Sequence, residues 1–352
     1  MILTSLREPV VQAPMAGGPS TPALAAAVCE AGGLGFLAAG YRSVESVKAD
    51  IAVLREQTDA PFGVNVFVPG APTSETERLE SYMARLIVEA QHYGVALGEP
   101  RHDDDDWQGK LSLLEGQSVA VVSFTFGCPP RDVLLRLAQA EIETWVTVTS
   151  PAEAVQAVEA GADALVVQGL EAGGHRACFE DSVGVEGTGL LALLGLVGAV
   201  VDVPLVASGA IMDGASLAAV LCAGASAAQI GTALMRTPEA ATSPAHRDAL
   251  NRPGQTGLTR AFSGRLARGI INRFQSEHSA SAPLAYPEVH HLTSALRAAA
   301  RERGDADGFN LWAGQGYRLG REIGAGELVG QLGAEMRETL ERVAGERPRA
   351  ES

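Results

Sequence analysis

The chain has 352 residues, of which 46% are apolar, 20% are charged and 40 are glycine, as expected for one large or two ordinary α/β domains. The net charge of −15 argues against a nucleic-acid-binding surface, which needs clustered Lys and Arg, and no apolar run is long enough to cross a bilayer. Four scattered cysteines without a CxxC motif, and an N-terminus without a signal-peptide pattern, predict a cytoplasmic protein with reduced thiols.

Eight short β-rich segments recur along the chain, and most are continuous apolar runs, as in parallel strands that are covered on both faces. Helical segments lie between them, with Ser150 and Asp213 as expected N-caps and Gly161 and Gly224 near the helix ends. This repeated β–α unit predicts an α/β fold of the (β/α)8 TIM barrel type. The predicted strands span 10–16, 33–39, 62–67, 119–126, 145–149, 164–169, 204–210 and 227–234.

The alternative fold is an open, doubly wound sheet. Such a sheet would carry the GxGxxG pattern after its first strand, and APMAGGPS (13–20) does not match that pattern. The sequence therefore favours the barrel.

Two long segments, 68–118 and 235–309, interrupt the β–α pattern, and each follows a predicted strand. Both therefore leave the barrel at its catalytic face, where we expect them to build a smaller, mostly helical cap domain. The acidic run HDDDDW (102–107) is interpreted as a solvated loop, and no metal site is predicted. The predicted division is barrel 1–72, cap insertion 73–110, barrel 111–240 with a phosphate site, helical cap 241–308, and return to the barrel with a C-terminal helix 309–345.

Candidate ligand-contact residues stand at the ends of six predicted strands, at the face where barrels carry their chemistry. Five of the groups contain polar residues or glycines, and the first is an apolar Ala-Pro-Met segment. Each alone can be an ordinary turn residue, but their combination indicates a ligand site. The residues are Ala13, Pro14 and Met15; Asn65; Ser123 to Thr125; Gln168 with Gly173, Gly174 and His175; Ser208 and Gly209; and Gln229 to Thr232.

The last two of these groups predict a phosphate site. Gly209 and Gly231 permit backbone N–H groups to approach a ligand, and the Thr232 hydroxyl can donate a hydrogen bond. The amides of Asn65 and Gln168 can pair with the donors and acceptors on the edge of a planar heterocycle. A phosphate and a heterocycle in one site predict bound flavin mononucleotide (FMN).

These motifs resemble the nitronate monooxygenases, also called 2-nitropropane dioxygenases, which are FMN-dependent barrel enzymes. Flavin-dependent enoyl-acyl carrier protein reductases are more distantly similar. The resemblance implies oxidation of alkyl nitronates of the propionate 3-nitronate type, with O2, to a carbonyl compound and nitrite. The matching segments include APMAGG (13–18), VVQGLEAGGH (166–175), AAQIGTALM (227–235) and FSGRLARGIIN (262–272). The predicted FMN-binding residues are Ala13, Pro14, Met15, Asn65, Gln168, Gly173, Gly174, Ser208, Gly209, Gln229, Gly231 and Thr232.

One motif departs from the family. The class I enzymes read SFHFG after the fourth strand, with the histidine as a base near the flavin, whereas this chain reads SFTFG with Thr125 in its place. A threonine hydroxyl cannot act as a base near neutral pH, so we expect poor activity on neutral nitroalkanes. Nitronates need no such proton removal. The predicted catalytic residues are His175, Thr125 and Ser123; His175 either orients or protonates the substrate, or supports the phosphate loop.

Three other functions stay open: an FMN-dependent NAD(P)H reductase of an enoyl thioester or quinone, a catalytically altered FMN-binding barrel, and a flavin-free sugar-phosphate enzyme. In the expected cap, His290 and His291 are predicted at the surface. Arg265 and Arg268 have two candidate roles: binding an anionic head group of the substrate, such as a carboxylate, or tying the cap to the barrel through carboxylates. The second role is the expected one. The expected partners are a small-molecule substrate and O2, without nucleic acid or membrane, and the composition of the outer helices permits a homodimer.

Overall fold

A computed structural model describes residues 1–181 and 187–345. Its strands are β1 (Val10–Gln12), β2 (Phe36–Ala38), β3 (Gly63–Phe67), β4 (Val121–Thr125), β5 (Glu143–Val148), β6 (Ala164–Gln168), β7 (Gly174–His175), β8 (Leu205–Ser208), β9 (Ala227–Ile230), β10 (Thr256–Thr259) and β11 (Ala267–Ile270). Its α-helices are α1 (Pro22–Glu30), α2 (Val44–Gln57), α3 (Thr76–Tyr93), α4 (Trp107–Glu115), α5 (Arg131–Gln139), α6 (Pro151–Ala160), α7 (Leu190–Gly198), α8 (Gly214–Cys222), α9 (Pro244–Leu250), α10 (Arg273–His278), α11 (Glu288–Glu302) and α12 (Ala325–Gly345).

Eight parallel strands form one sheet that curves into a barrel, in the order β1-β9-β8-β6-β5-β4-β3-β2. The two end strands meet through Leu34, whose N–H donates to the Val10 carbonyl at 3.0 Å and whose carbonyl accepts from the Gln12 N–H at 2.9 Å. The predicted TIM barrel is therefore confirmed. Each of the eight predicted strands coincides with an observed one, although the observed strands are mostly shorter.

The predicted helix caps are confirmed in their hydrogen bonds. The Ser150 side chain accepts from the Glu153 N–H at 3.2 Å, and the Asp213 carboxylate accepts from the Ser216 N–H at 2.8 Å. Gly161 ends α6 with φ at +110°, a left-handed conformation that favours glycine. These local signals place each helix against the strand that follows it.

The interior of the barrel is filled by large apolar side chains. Trp145 is fully buried, and its ring centroid lies 5.7 Å from that of Phe36. Because this cluster packs the inside of the barrel, the strand C-termini are where a ligand can enter. The cluster consists of Leu3, Val11, Leu34, Phe36, Val121, Trp145, Ala164, Val166, Val206 and Ala227.

The two long insertions share a separate apolar cluster, in which α3 packs against α11. The second insertion contributes β10 and β11 to a three-stranded antiparallel sheet, β10-β11-β7, which the sequence did not predict. Its strands have two to four residues and show no clear alternation, so periodicity could not reveal them. In β7 the sheet takes up Gly174 and His175, from the loop after β6, and so connects the insertion to the barrel.

The C-terminal helix α12 completes the outer layer by packing on α8 and α1, and its Leu332 is fully buried. The variant Leu332→Ala is expected to lower the free energy of unfolding by about 2–5 kcal/mol, because it leaves a cavity in the core. The control Glu338→Ala, on the exposed side of the same helix, should change it by less than about 0.5 kcal/mol. Denaturant unfolding followed by tryptophan fluorescence measures both, and equal effects would contradict the packing of α12.

Candidate functional site

A cavity of about 380 Å³ lies at the C-terminal ends of the barrel strands, between the barrel and the insertions. Its size is that of a typical small-molecule or cofactor site. Ser123 is the single predicted site residue that does not line it. The predicted residues that do are Ala13, Pro14, Met15, Asn65, Thr125, Gln168, Gly173, Gly174, His175, Ser208, Gly209, Gln229, Gly231 and Thr232.

Ser123 lies one layer deeper in the barrel and holds Asn65. The Asn65 Nδ2 lies 2.9 Å from the Ser123 Oγ and 3.0 Å from the Thr125 Oγ1. Side chains two residues apart on a strand point the same way, so both hydroxyls of β4 reach the same amide. Ser123 and Thr125 therefore position the Asn65 side chain, which faces the cavity in a fixed orientation.

Gln168 is bound at both ends of its amide by the loop that follows β6. Its Nε2 donates to the His175 carbonyl at 3.0 Å, and its Oε1 accepts from the Ala177 N–H at 3.0 Å and from Arg176 at 3.2 Å. The side chain therefore folds this loop back against the barrel. Pairing with a heterocycle would require Gln168 to exchange or share these hydrogen bonds.

The ends of β8 and β9 lie side by side, with Ser208 in register with Gln229. Gly209 has φ at +143°, and Ala210 follows with φ at +52°, a left-handed conformation that favours glycine. The expected phosphate site therefore has its two glycine-containing segments adjacent.

Two further glycines bring backbone close together at the cavity wall. A Cβ at Gly173 would lie 2.4 Å from the Gly314 nitrogen, and a Cβ at Gly231 would lie 3.2 Å from the Ala13 Cβ. The Thr232 Oγ1 accepts from the Gly314 N–H at 3.0 Å. A side chain at Gly173 would force the 310–320 segment away from the barrel. This steric conflict explains why a glycine occupies the position.

His175 is neutral and is hydrogen-bonded to a residue of the second insertion. Its Nε2 lies 2.8 Å from the Ser263 Oγ, and that hydroxyl donates onward to the Arg265 carbonyl at 3.3 Å. Burial, with the positive charges of Arg265 and Arg297, lowers the pKa of His175 to about 3.

The far side of the cavity is formed by residues of the insertions. The His290 ring stacks on Tyr41 at 3.9 Å, and burial lowers the pKa of His290 to about 2. The prediction that His290 lies at the surface is therefore wrong. Its stacking on Tyr41, a residue distant in the chain, places His290 at the cavity wall. His291, partly buried, pairs with Asp103 at 2.7 Å. Arg297, Arg301 and Trp312 also line this side.

Arg265 and Arg268 tie the insertion to the barrel, but through different oxygens than expected. The Arg265 Nε donates to the Arg176 carbonyl at 3.1 Å, and the Arg268 Nε donates to the Leu170 carbonyl at 3.0 Å. Their partners are thus backbone carbonyls of the β6 loop and not carboxylates. Arg265 also covers the Phe126 ring, with its guanidinium carbon 4.2 Å from the ring centroid.

Comparison with known families and curated proteins gives one consistent result. Residues 1–335 match the family described as nitronate monooxygenase. The chain is 43% identical over 344 residues to a nitronate monooxygenase from Pseudomonas aeruginosa, which covers 95% of this chain and 98% of that protein. It is 37% identical to a nitronate monooxygenase from Paraburkholderia phytofirmans, over 97% of this chain and 95% of the relative.

Solved structures extend the comparison. A nitroalkane oxidase from Streptomyces ansochromogenes superposes with a TM-score of 0.95 at 50% identity, covering 97% of this chain and 99% of the other. FabK from Thermotoga maritima superposes with a TM-score of 0.77 at 25% identity, covering 98% and 97%. The chain thus shares its overall fold with both of these solved structures.

Acidification is expected to destabilise the fold through three histidines that are shielded from water, of which His246 is buried and His175 and His290 are partly buried. Burial holds the pKa of His175, His246 and His290 at about 3, 4 and 2, below the ordinary 6.5. Between pH 6.5 and about 4 the unfolded chain therefore binds up to about three more protons than the folded chain. This stability is fully present above pH 6.5 and is lost as the pH falls.

Thermal unfolding midpoints at pH 7, 6 and 5 measure this dependence. The variant His246→Phe should reduce the slope, because it removes one of the three titrating groups. The control His92→Phe, at an exposed position of α3, should leave the slope unchanged. A midpoint that does not vary between pH 7 and 5 would show that these histidines titrate normally in the folded protein.

Proposed function

Because the chain belongs to the nitronate monooxygenase family, we propose that it is an FMN-dependent oxidoreductase that converts alkyl nitronates, with O2, into a carbonyl compound and nitrite. The observation that carries the proposal is the cavity at the strand C-termini. There the chain brings together fourteen of the fifteen predicted site residues around one space of about 380 Å³. Turn residues without a common role would not be expected to line a single cavity.

The cavity residues offer hydrogen-bond donors and apolar surface that match the phosphate and the ring system of FMN. Gly209, Gly231 and Thr232 would hold the phosphate with N–H and hydroxyl groups at the adjacent ends of β8 and β9. Met15 and Asn65 would lie against the ring system, Met15 with an apolar surface and Asn65 with an amide oriented by β4. Bound FMN supplies the redox chemistry, which the side chains of the chain lack.

Neutral His175 suits a substrate that is already an anion. Its imidazole can form a hydrogen bond with the substrate but is a weak base, since its pKa is about 3. Removal of a carbon-bound proton from a neutral nitroalkane needs a stronger base, whereas a nitronate has already lost that proton. Thr125, which replaces the family histidine, cannot act as a base either. The site therefore favours nitronates over nitroalkanes.

The proposal also includes the location of the protein and its oligomeric state. Within residues 1–181 and 187–345, no helix combines the length and the apolarity that a membrane crossing requires. The four cysteines are free thiols, and the cytoplasmic location stays a prediction. A homodimer stays a prediction. Exposed Leu191 and Leu196 on α7 lie on the outer surface, where such a contact would have to form.

The first test is anaerobic reduction of the purified FMN-loaded protein, followed at the flavin absorbance band. Propionate 3-nitronate and ethylnitronate, each added alone, should bleach the band, and NADH and NADPH should not. Bleaching by nicotinamides alone would replace the proposal with an FMN-dependent reductase. A flavin that no donor reduces would indicate a catalytically altered FMN-binding barrel, and a purified protein without flavin would contradict the proposed cofactor.

Neutral nitroethane is expected to be a poor substrate at pH 7, with kcat/KM at least about 100-fold below that of ethylnitronate, the usual contribution of a general base. The variant Thr125→His should raise kcat/KM for nitroethane. The matched variant Thr125→Val, which lacks the hydroxyl but keeps the side-chain shape, should not. Equal kcat/KM for nitroethane and ethylnitronate in the unmodified protein would show that His175 or another group removes the proton.

A further inference from the structure

Lys110, on helix α4, is fully buried, which is unusual for a lysine. Its Nζ lies 2.7 Å from the Asp105 Oδ2, and no second carboxylate lies within ion-pair distance of it among residues 1–181 and 187–345. A buried charge that loses its partner is strongly destabilising. Lys110 therefore holds Asp105 in place, because their separation would leave the buried ammonium group unpaired.

The acidic run 102–107 is thus only in part the solvated loop that the sequence predicted. Asp104 is exposed, but Asp105 is partly buried. The run ends in Trp107, which is buried and whose ring centroid lies 5.8 Å from that of Phe124 on β4. This contact fixes the start of α4 against the barrel, and Asp105 is fixed with it.

The other oxygen of the Asp105 carboxylate binds the backbone of Tyr41. The Asp105 Oδ1 accepts from the Tyr41 N–H at 3.0 Å. Tyr41 has φ at +65°, in a turn that the Arg42 N–H closes by donating to the Ala39 carbonyl at 3.3 Å. A turn with positive φ at its third residue normally has glycine there, since a bulky side chain is strained in this conformation. Tyr41 therefore needs contacts that hold it.

The Tyr41 side chain is held by other rings at the cavity, which it lines. Its ring stacks on His290 with the centroids 3.9 Å apart and meets Phe67 at 5.3 Å in a T-shaped contact. Its hydroxyl lies 3.0 Å from that of Tyr286, whose ring centroid lies 6.0 Å from that of His175. Tyr41 therefore forms the wall of the cavity one aromatic ring beyond His175.

We propose that Asp105 is a positioning residue that fixes Tyr41, and that Tyr41 thereby limits the length of the alkyl chain that the site accepts. The inference deepens the proposed function and rests on it for the identity of the reacting end, beside His175. A chain that extends from this end meets the Tyr41 ring. Asp105 and Lys110 lie behind that ring and do not line the cavity, so they act on specificity without contacting the substrate.

Two double variants separate the contact with Tyr41 from the buried charges. The alanine double variant, Asp105→Ala with Lys110→Met, removes both charges together with the acceptor of the Tyr41 N–H. The asparagine double variant, Asp105→Asn with Lys110→Met, removes the same charges but keeps a side-chain oxygen for that N–H. Neither leaves a buried ammonium group unpaired, so both are expected to fold.

Binding of neutral nitroalkanes to the FMN-loaded protein, measured by titration calorimetry, tests the limit on chain length separately from turnover. The alanine double variant should lower the Kd of 1-nitrohexane at least about tenfold, because the additional methylene groups become buried once Tyr41 moves. The Kd of nitroethane should be nearly unchanged. The asparagine double variant and the control Asp104→Ala, at an exposed position of the acidic run, should leave both Kd values nearly unchanged.

Hydrogen exchange followed by mass spectrometry tests the position of Tyr41 without any ligand. The segment that contains the Tyr41 amide should exchange faster in the alanine double variant than in the unmodified protein, because that amide has lost its acceptor. The asparagine double variant should keep the slow exchange. A fold that is merely loosened by loss of the ion pair would exchange faster in both double variants.

The variant Tyr41→Gly removes the ring directly and should lower the Kd of 1-nitrohexane as much as the alanine double variant does. The two changes combined should give no further gain, since both act through the same ring. In turnover, kcat/KM for hexyl-1-nitronate relative to ethylnitronate should rise in the same variants. FMN content and thermal midpoints identify any variant that fails to fold, and Tyr41→Gly then carries the comparison.

An unchanged Kd of 1-nitrohexane in Tyr41→Gly would overturn the limit on chain length. Equal exchange of the Tyr41 segment in the unmodified protein and the alanine double variant would overturn the role of Asp105, as would equal gains in 1-nitrohexane affinity in both double variants. The expected binding and exchange in a protein whose flavin no nitronate reduces would support the positioning role and contradict the proposed reaction. The two proposals therefore fail by different measurements.

Discussion

The geometry of the site depends on the pairing of β7 with β11, in which Ala267 lies opposite His175 and Arg268 opposite Gly174. This pairing joins the loop after β6 to a strand that lies about ninety residues later in the chain. From the barrel side, the Gln168 amide binds the same loop at both ends. From the insertion side, Arg265 and Arg268 bind its carbonyl oxygens. His175 is consequently positioned by backbone hydrogen bonds, and the insertions form part of the site as well as covering it.

Burial sets the charges in this site. It keeps His175 and His290 neutral and leaves Arg297 charged, because an imidazole loses its proton far more readily than a guanidinium group. A neutral base beside uncompensated cations selects for anions and against substrates that must first lose a proton. The electrostatics thus support a preference for nitronates by a route that is independent of the family resemblance.

Sequence reasoning was most successful where the signal is local. The caps at Ser150 and Asp213 and the run of apolar strands identified the barrel, and the strand C-termini identified the cavity wall. It was least successful in the insertions. The strands β10 and β11 were missed, His290 was placed at the surface, and the partners of Arg265 were expected to be carboxylates. Each of these features depends on a contact between distant segments, and a helix with charged residues at 297 and 301 has the same pattern whether they face solvent or a cavity.

The sequence by itself determined the order of strands and helices, the face of the barrel that carries the site and the residue types available there, because strand direction and side-chain periodicity follow from local chemistry. The tertiary structure alone decided the ionisation state of His175, the role of Ser123 beneath Asn65 and the position of Arg297 and Arg301 beside the cavity. These properties depend on burial and on the distance between residues far apart in the chain, and both arise only when the insertions fold onto the barrel.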